Sequence, residues 1–246
     1  MRALTYALPA AVIGIVLWQG LIWVFAFPKF ILPTPLETAG ALWSYRETLA
    51  WNAVRTAQVV LIGLLLGVAL GAATALQLAA SPLARRTLRP LLVFTQAIPV
   101  FALAPILMIW FGFGIEPKIA MALLIIYFPV TSAFYDGLTS TPQGYLDLAK
   151  TMDSTPSRVL WRVRVPAAIP SLCSGLRLAA VYAPIGAVIG EWVGGEARGL
   201  GYLMTYANSR TKIDLMFAAL IVLAIFTVIL HRLVDRFCDR MVARYT

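Results

Sequence analysis

Charge is scarce in this chain of 246 residues: Asp, Glu, Lys and Arg together make up 13%, against about 25% in soluble domains. A soluble fold of this size has too little polar coat at that level, so a soluble globular domain is excluded. Intrinsic disorder is excluded with it, because disorder needs the opposite composition. One histidine and two cysteines cannot supply a convergent catalytic or metal-binding set, and no C-x-x-C pairs Cys173 with Cys238. No metal and no cofactor is expected. The phosphate-cradling pattern G-x-x-x-x-G-K-[ST] is also missing, so the chain is not expected to hydrolyse ATP. What is abundant is apolar surface: 61% of residues are hydrophobic, and the mean hydropathy is +0.83. The composition is that of an integral membrane protein.

About 20 apolar residues cross a hydrocarbon core of about 30 Å, and charge-free runs locate such segments. They run from Ala3 to Pro28, within Ala57 to Arg85, from Pro90 to Ile115, from Ile119 to Tyr135, from about Ala167 to Gly190 and from Leu215 to Leu230. The expectation is therefore an all-α, polytopic helical bundle with about six transmembrane helices, forming a single domain over residues 1–246. The first run is too long for the apolar core of a signal peptide and reads as a retained helix.

Basic residues between spans set the orientation. With both termini in the cytoplasm, twelve Lys and Arg lie inside: Arg2, three from Arg85 to Arg89, four from Lys150 to Arg164 and four from Arg232 to Arg244. Seven lie outside, and Arg177 falls within the fifth span. The formal net charge of +9 thus reads as a positive-inside topology, with no nucleic-acid partner implied. His231 reads as an end-cap beside Arg232.

Two loops carry helix-start signals. Outside, Thr34-Pro35 offers an N-cap and a proline at the first helical position. The segment through Leu42, Trp43, Tyr45, Leu49 and Trp51 reads as an amphipathic helix along the outer interface. Inside, residues 138–168 repeat the device at Thr141-Pro142 and Thr155-Pro156. Two short helices follow, over 143–152 and 157–165, with a bend at Asp153-Ser154. Pro166 is expected to stop the second helix and Pro170 to start the fifth span. The first helix offers Leu146, Leu148, Ala149 and Met152 as an apolar knob. The second carries Arg158, Arg162 and Arg164, which also suit anionic lipid headgroups.

The spacing of this inner loop resembles that of the permease subunit of bacterial ATP-binding-cassette importers. The family signature is E-A-A, three residues, G, nine residues, I-x-L-P. Asp147-Leu148-Ala149, Asp153 and Val163-Arg164-Val165-Pro166 stand at the corresponding positions. Ala149 and Pro166 match identically. Leu148 replaces alanine and Asp153 replaces the glycine of the bend, where aspartate tolerates a left-handed backbone better than most residues. Leu32-Pro33-Thr34-Pro35 resembles the family's periplasmic entry motif, and Gln96-Ala97-Ile98-Pro99 through Ala104-Pro105, Trp110 to Gly114, Gly190 to Val193 and Gly199 to Tyr202 are similar to the nitrate, sulfonate, taurine and thiamine-precursor branch.

The resemblance implies a type I importer permease fold of the methionine-permease kind in a bacterial inner membrane. It implies a second permease copy in a homodimer, two separate ATPase subunits, a periplasmic or lipid-anchored solute-binding protein and contact with membrane lipid. The coupling loop then comprises Asp147, Leu148, Ala149, Met152, Asp153, Pro156, Val163 and Pro166. The substrate it leans toward is a thiamine precursor of the hydroxymethylpyrimidine type; sulfonate, taurine and nitrate are the competitors. Candidate pathway or gate residues are Gln96, Pro99, Arg177 and Glu191. Arg177 either faces the pathway, snorkels inward or pairs with Asp136; Glu191 forms a periplasmic gate, docks the binding protein or sits at the interface beside Trp192. An ATP-independent secondary transporter is the alternative of a different class, and needs coupling acids within spans that the sequence does not show. A membrane-embedded enzyme lacks the residues for its chemistry.

Overall fold

The computed structural model describes residues 2–194 and 198–245. Every regular element among them is helical. In chain order these are α1 (Arg2–Phe25), α2 (Pro35–Ser44), α3 (Arg46–Ala80), α4 (Pro82–Ala97), α5 (Val100–Phe111), α6 (Glu116–Thr139), α7 (Gln143–Thr151) and α8 (Pro156–Val159). A π-helical turn (Leu160–Arg164), α9 (Val165–Val193), α10 (Leu200–Ser209) and α11 (Ile213–Val242) complete the series.

Four helical runs among the described residues are long and apolar enough to cross a membrane: α3, α6, the continuous run Pro156–Val193 and α11. The pair α4 and α5 makes a fifth only as a broken span, bent by 103°. The bend falls inside the span expected over Pro90 to Ile115, at one of its prolines. Pro99 pushes Ile98 out of the helical region, to φ −88 and ψ 120, and α5 restarts after it. α1, 24 residues long, carries no charge from Ala3 to Phe25. Residues 36–51 are not one interfacial helix either. The chain breaks only at Tyr45, so Leu49 and Trp51 belong to α3, whose 35 residues extend about 52 Å.

The chain divides into two compact units. The first comprises residues 1–55 and 197–224. Its core gathers Ala41, Leu49, Leu200, Leu203, Met204, Ala207, Leu215, Ala218 and Ala219. Asn52 ties it together: its side chain accepts from the backbone N–H of Gly199 at 2.8 Å and donates to the Thr48 carbonyl at 2.8 Å. Gly199 sits at φ 111, a backbone that favours glycine. The Trp18 indole donates to the Pro33 carbonyl at 3.1 Å. Thr34 is the N-cap expected from the sequence, and the cap is a full box: its hydroxyl accepts from the Glu37 N–H at 3.2 Å, while the Glu37 carboxylate accepts from the Thr34 N–H at 3.0 Å.

The second unit, residues 56–196 and 225–246, is built around α6. Gly63, Gly67 and Gly71 of α3 present one face to it at a four-residue spacing. A Cβ at Gly63 would lie 2.7 Å from the Ala122 Cβ, and one at Gly67 would lie 2.5 Å from Ile126. On the other flank, Gly175, Gly186 and Gly190 of α9 meet the α6 backbone; a Cβ at Gly186 would lie 2.6 Å from the Ala122 Cα. Lipid supplies no hydrophobic force between helices, so close backbone approach through small residues does the work of association. Between 28% and 50% of each spanning window is buried, which leaves broad apolar faces for lipid or further subunits.

The fold generates two predictions. Gly186→Ala forces its methyl into the α6 backbone and should lower stability by about 1–3 kcal/mol, whereas Gly40→Ala, with nothing within 4 Å of the added methyl, should raise it by about 0.5–1 kcal/mol. Thermal unfolding in mild detergent reads both signs. The second concerns the α2 cap, where the Lys29 ammonium and the Thr34 N–H hold the Glu37 carboxyl down to about 2 from an ordinary 4.5. A depressed carboxyl stabilises the fold above its unfolded value and loses that contribution as pH falls toward the folded one. The Tm difference between wild type and Glu37→Gln should therefore be constant from pH 7 to about 5 and shrink progressively below about 4.5.

Candidate functional site

The segment between α6 and α9 is a braced helical knob. Pro142 fixes the backbone ahead of α7 without a side-chain cap. Thr141 is buried, and its hydroxyl turns back to the Leu138 carbonyl at 3.5 Å, so the first helix start differs from the second. Thr155 does cap α8, accepting from the Arg158 N–H at 3.4 Å. On α7, Asp147 accepts from Gln143 at 3.2 Å and from Lys150 at 3.1 Å. Those partners hold its carboxyl below the ordinary carboxylate range.

Asp153 terminates α7 with φ at 51. Its N–H bonds to the Lys150 carbonyl at 3.0 Å, and the Ser154 N–H reaches back to the Ala149 carbonyl at 3.0 Å. That pair is a complete Schellman motif, whose left-handed position is usually glycine. The substitution seen in the sequence therefore sits at a point of genuine backbone demand.

Exposure sorts the knob into two faces. Tyr145, Leu148 and Met152 project outward, at 61%, 58% and 72% exposure, and the spacing i, i+3, i+7 places them on one side of the helix. Ala149 is buried and Leu146 half-buried, so the outward knob is narrower than the four residues taken from the sequence. Pro156 opens α8, and Val163 lies half-buried in the π-helical turn. Pro166 does not stop the second helix. It is the second residue of α9, and the run continues unbroken from Pro156 to Val193. A proline ring collides with the carbonyl four residues back, here Arg162, and lacks the N–H that would bond it. The widened π-helical turn contains that carbonyl and accommodates both effects. Pro170 lies inside α9 rather than at its start.

A cleft of about 920 Å³ lies beside this knob, between α7, α8, the π-helical turn and the junction of α3 with α4. Arg85, Lys150 and Arg164 line it over an apolar floor that includes Leu76, Leu146 and Leu160.

The other residues singled out from the sequence fall in separate places. Glu191 is buried at 2% exposure, in the last turn of α9, and Thr56 of α3 donates to it at 2.7 Å. Its carboxylate is turned toward α3. Lys118, counted from the sequence among the loop cations, lies buried in the first turn of α6. Its stem runs along Gly190 and Gly194; a Cβ at Gly194 would lie 2.9 Å from the Lys118 Cε. Arg177 stands fourteen residues before Glu191 on the same helix, about 21 Å away. It donates to Asp235 at 2.6 Å and to Asp239 at 2.8 Å, so its partners are these two acids of α11 and not Asp136. Gln96 and Pro99 are exposed at the α4–α5 bend. Cys173 and Cys238 are free and buried, each thiol facing the other's backbone carbonyl at 3.8 and 3.7 Å. Among the described residues no cluster of three or more His, Cys, Asp or Glu is placed to hold a metal.

Residues 60–244 match the family model described as binding-protein-dependent transport system inner membrane component. The chain is 48% identical to a probable ABC transporter permease protein of Haemophilus influenzae, over 95% of this chain and 96% of that one. It is 36% identical to the formylaminopyrimidine transport permease protein ThiX of Halalkalibacterium halodurans, over 81% and 80%. It is 32% identical to the riboflavin transport system permease protein RibX of Chloroflexus aurantiacus, over 94% and 86%. Among solved structures, an inward-facing form of the MetNI methionine ABC transporter superposes with a TM-score of 0.68 at 20% identity, over 82% of this chain and 98% of that one; the likeness is one of fold.

The bend after α7 supplies the test of this geometry. Asp153→Val places a branched side chain in the left-handed region and should cost about 1–2 kcal/mol, while Asp153→Gly should be neutral or stabilising by up to about 1 kcal/mol. Hydrogen exchange at the Ser154 amide, which closes the Schellman motif, should speed up in the first variant and not in the second.

Proposed function

The chain belongs to the family of binding-protein-dependent transport system inner membrane components, a multi-pass membrane permease subunit of ABC transporters, and from that premise we propose that it is the translocating subunit of an ATP-driven importer whose α7–α8 knob engages the ATPase. The family works with ATPase and solute-binding protein partners. One observation carries the assignment of the knob: Tyr145, Leu148 and Met152 form an exposed apolar face on a helix whose end is locked by a Schellman motif. Such a face is costly to leave in water and is positioned to bury itself in a groove of another protein.

The chain has no phosphate cradle of its own, so ATP hydrolysis belongs to separate subunits, two of them in an assembly with two permease copies. The excess of basic residues on the knob's side supports a cytoplasmic location for it and for both termini in a bacterial inner membrane. Asp147, Ala149, Asp153, Pro156, Val163 and Pro166 then shape and hold the knob, while Leu148 and Met152 make the contact. Glu191, held by Thr56 at the end of α9, is the gate candidate best supported by burial; Gln96 and Pro99 mark the bend of α4 and α5, and Arg177 is held in its ion pairs.

A thiamine precursor of the hydroxymethylpyrimidine type is the substrate best supported, through the likeness to the formylaminopyrimidine permease. The likeness to the riboflavin permease and the motifs shared with sulfonate, taurine and nitrate permeases favour a second reading in which another small solute is carried by the same machinery.

Co-purification with the cognate ATPase tests the knob. Leu148→Arg and Met152→Arg alter only exposed side chains, so monodispersity should be retained while ATPase recovery and substrate uptake fall at least about tenfold, the scale of losing an anchor worth about 1.4 kcal/mol. Undiminished ATPase recovery in both variants would exclude α7 as the contact. A thermal-shift panel of pyrimidines, riboflavin and sulfonates on the associated binding protein separates the substrate readings.

A further inference from the structure

The cleft beside the knob has a chemistry that ATPase docking does not use. Three cations line it, Arg85, Lys150 and Arg164, and no acidic residue does. Lys150 is matched by Asp147. Arg85 spends its Nε on the Leu78 carbonyl at 3.4 Å, which leaves its terminal nitrogens for another acceptor. Arg164 is half-buried and has no hydrogen-bond or ion-pair partner among the described residues. A guanidinium drawn partly out of water without an anion is unfavourable, and an anionic group placed in the cleft relieves it.

The floor indicates what carries the anion. Leu76, Ala79 and Ala80 belong to the last two turns of α3, a helix apolar enough to cross the bilayer. The cleft therefore begins where the hydrocarbon ends. Its volume of about 920 Å³ exceeds the needs of a free phosphate, and its apolar lining is wasted on one. Trp161 stands exposed on the rim, at the depth where indoles favour the interface. We propose that this cleft binds an acidic glycerophospholipid of the surrounding bilayer, its phosphate held by Arg164 and Arg85 and the upper acyl segments against Leu76, Leu146 and Leu160. The lipid then wedges the knob against the α3–α4 junction. This site is independent of the knob's outward face, so its test does not depend on the proposed ATPase contact.

The full chain, purified in a neutral detergent, is titrated with phosphatidylglycerol and with phosphatidylcholine of the same acyl chains, and retained lipid is counted by native mass spectrometry. Phosphatidylglycerol should be retained in preference to phosphatidylcholine. Arg85→Gln with Arg164→Gln should lower its retention roughly tenfold or more. Arg164→Lys should preserve most of it, and Arg236→Gln on exposed α11 surface should change nothing. Equal retention of the two lipids, or an unchanged preference in the double variant, overturns the proposal. So does displacement by millimolar inorganic phosphate or glycerol 3-phosphate, which marks a soluble-anion site. Loss of the lipid from the purified complex with the ATPase overturns it as well, since the cleft is then a protein interface; retention there supports it.

Discussion

The structure of the second unit depends on how closely α6 is approached by its two neighbours. In a bilayer the hydrophobic effect does not drive one helix against another, so the helices must gain their contact from interlocking shape. Gly63, Gly67 and Gly71 on one side and Gly175, Gly186 and Gly190 on the other let backbones meet where a single methyl would collide. With α6 clamped in this way, the residues at its ends are fixed too. Lys118 is threaded along Gly190 and Gly194, and the Thr56–Glu191 hydrogen bond joins α3 to α9 near the same end. The polar contacts sit where the glycine seams end.

That arrangement revises where the chain's few charges act. Sequence position puts Lys118 among the cations between spans and Glu191 at the end of one, as a gate or an interfacial acid. Helices that run longer than their charge-free cores draw both inside. Arg177, midway along α9, is held in ion pairs instead: Asp235 and Asp239, one turn apart on α11, meet it from about sixty residues away in sequence. Burying a charged group costs free energy unless it is paired; buried Glu191 has at least the Thr56 hydroxyl, while part-exposed Arg177 has two acids beside it.

The helical, membrane-spanning nature of the chain was legible because it is written in composition and run length, and the Thr34 and Thr155 caps were legible because capping is local. The left-handed backbone at Asp153 was readable from the family pattern and has a local cause. What was not legible depends on residues distant in sequence. Glycine in a span reads as weak helix until its partner backbone is known, so the α6 seams carried no signal beyond small-residue spacing. The inward turn of Ala149 depends on what lies behind α7. Proline alone did not tell which helix ends: Pro99 breaks α4 from α5 by 103°, while Pro166 and Pro170, read as a stop and a start, are absorbed into a continuous helix because a π-helical turn makes room for the first of them.

The absorbed prolines have a mechanical consequence for the proposed function. Had Pro166 ended the second helix, displacement of the knob would reach the bundle through a flexible joint and be lost in it. Instead, Pro156 to Val193 is one helical run. Its first turn carries the capped start of the knob, and its last turn holds Glu191 against Thr56 of α3. A helix of this kind resists bending except at identifiable defects, and the π-helical turn at Leu160–Arg164 is the evident one near the knob. Motion delivered at α7 and α8 therefore has a short compliant element and then some 29 residues of α9, about 44 Å of helix, through which to act. The same helix is held to α6 at Gly175, Gly186 and Gly190, so it can move only with α6 or by sliding past it along the glycine seam. The tight packing that the membrane requires for association is thus also what would make the far end of α9 respond to its near end.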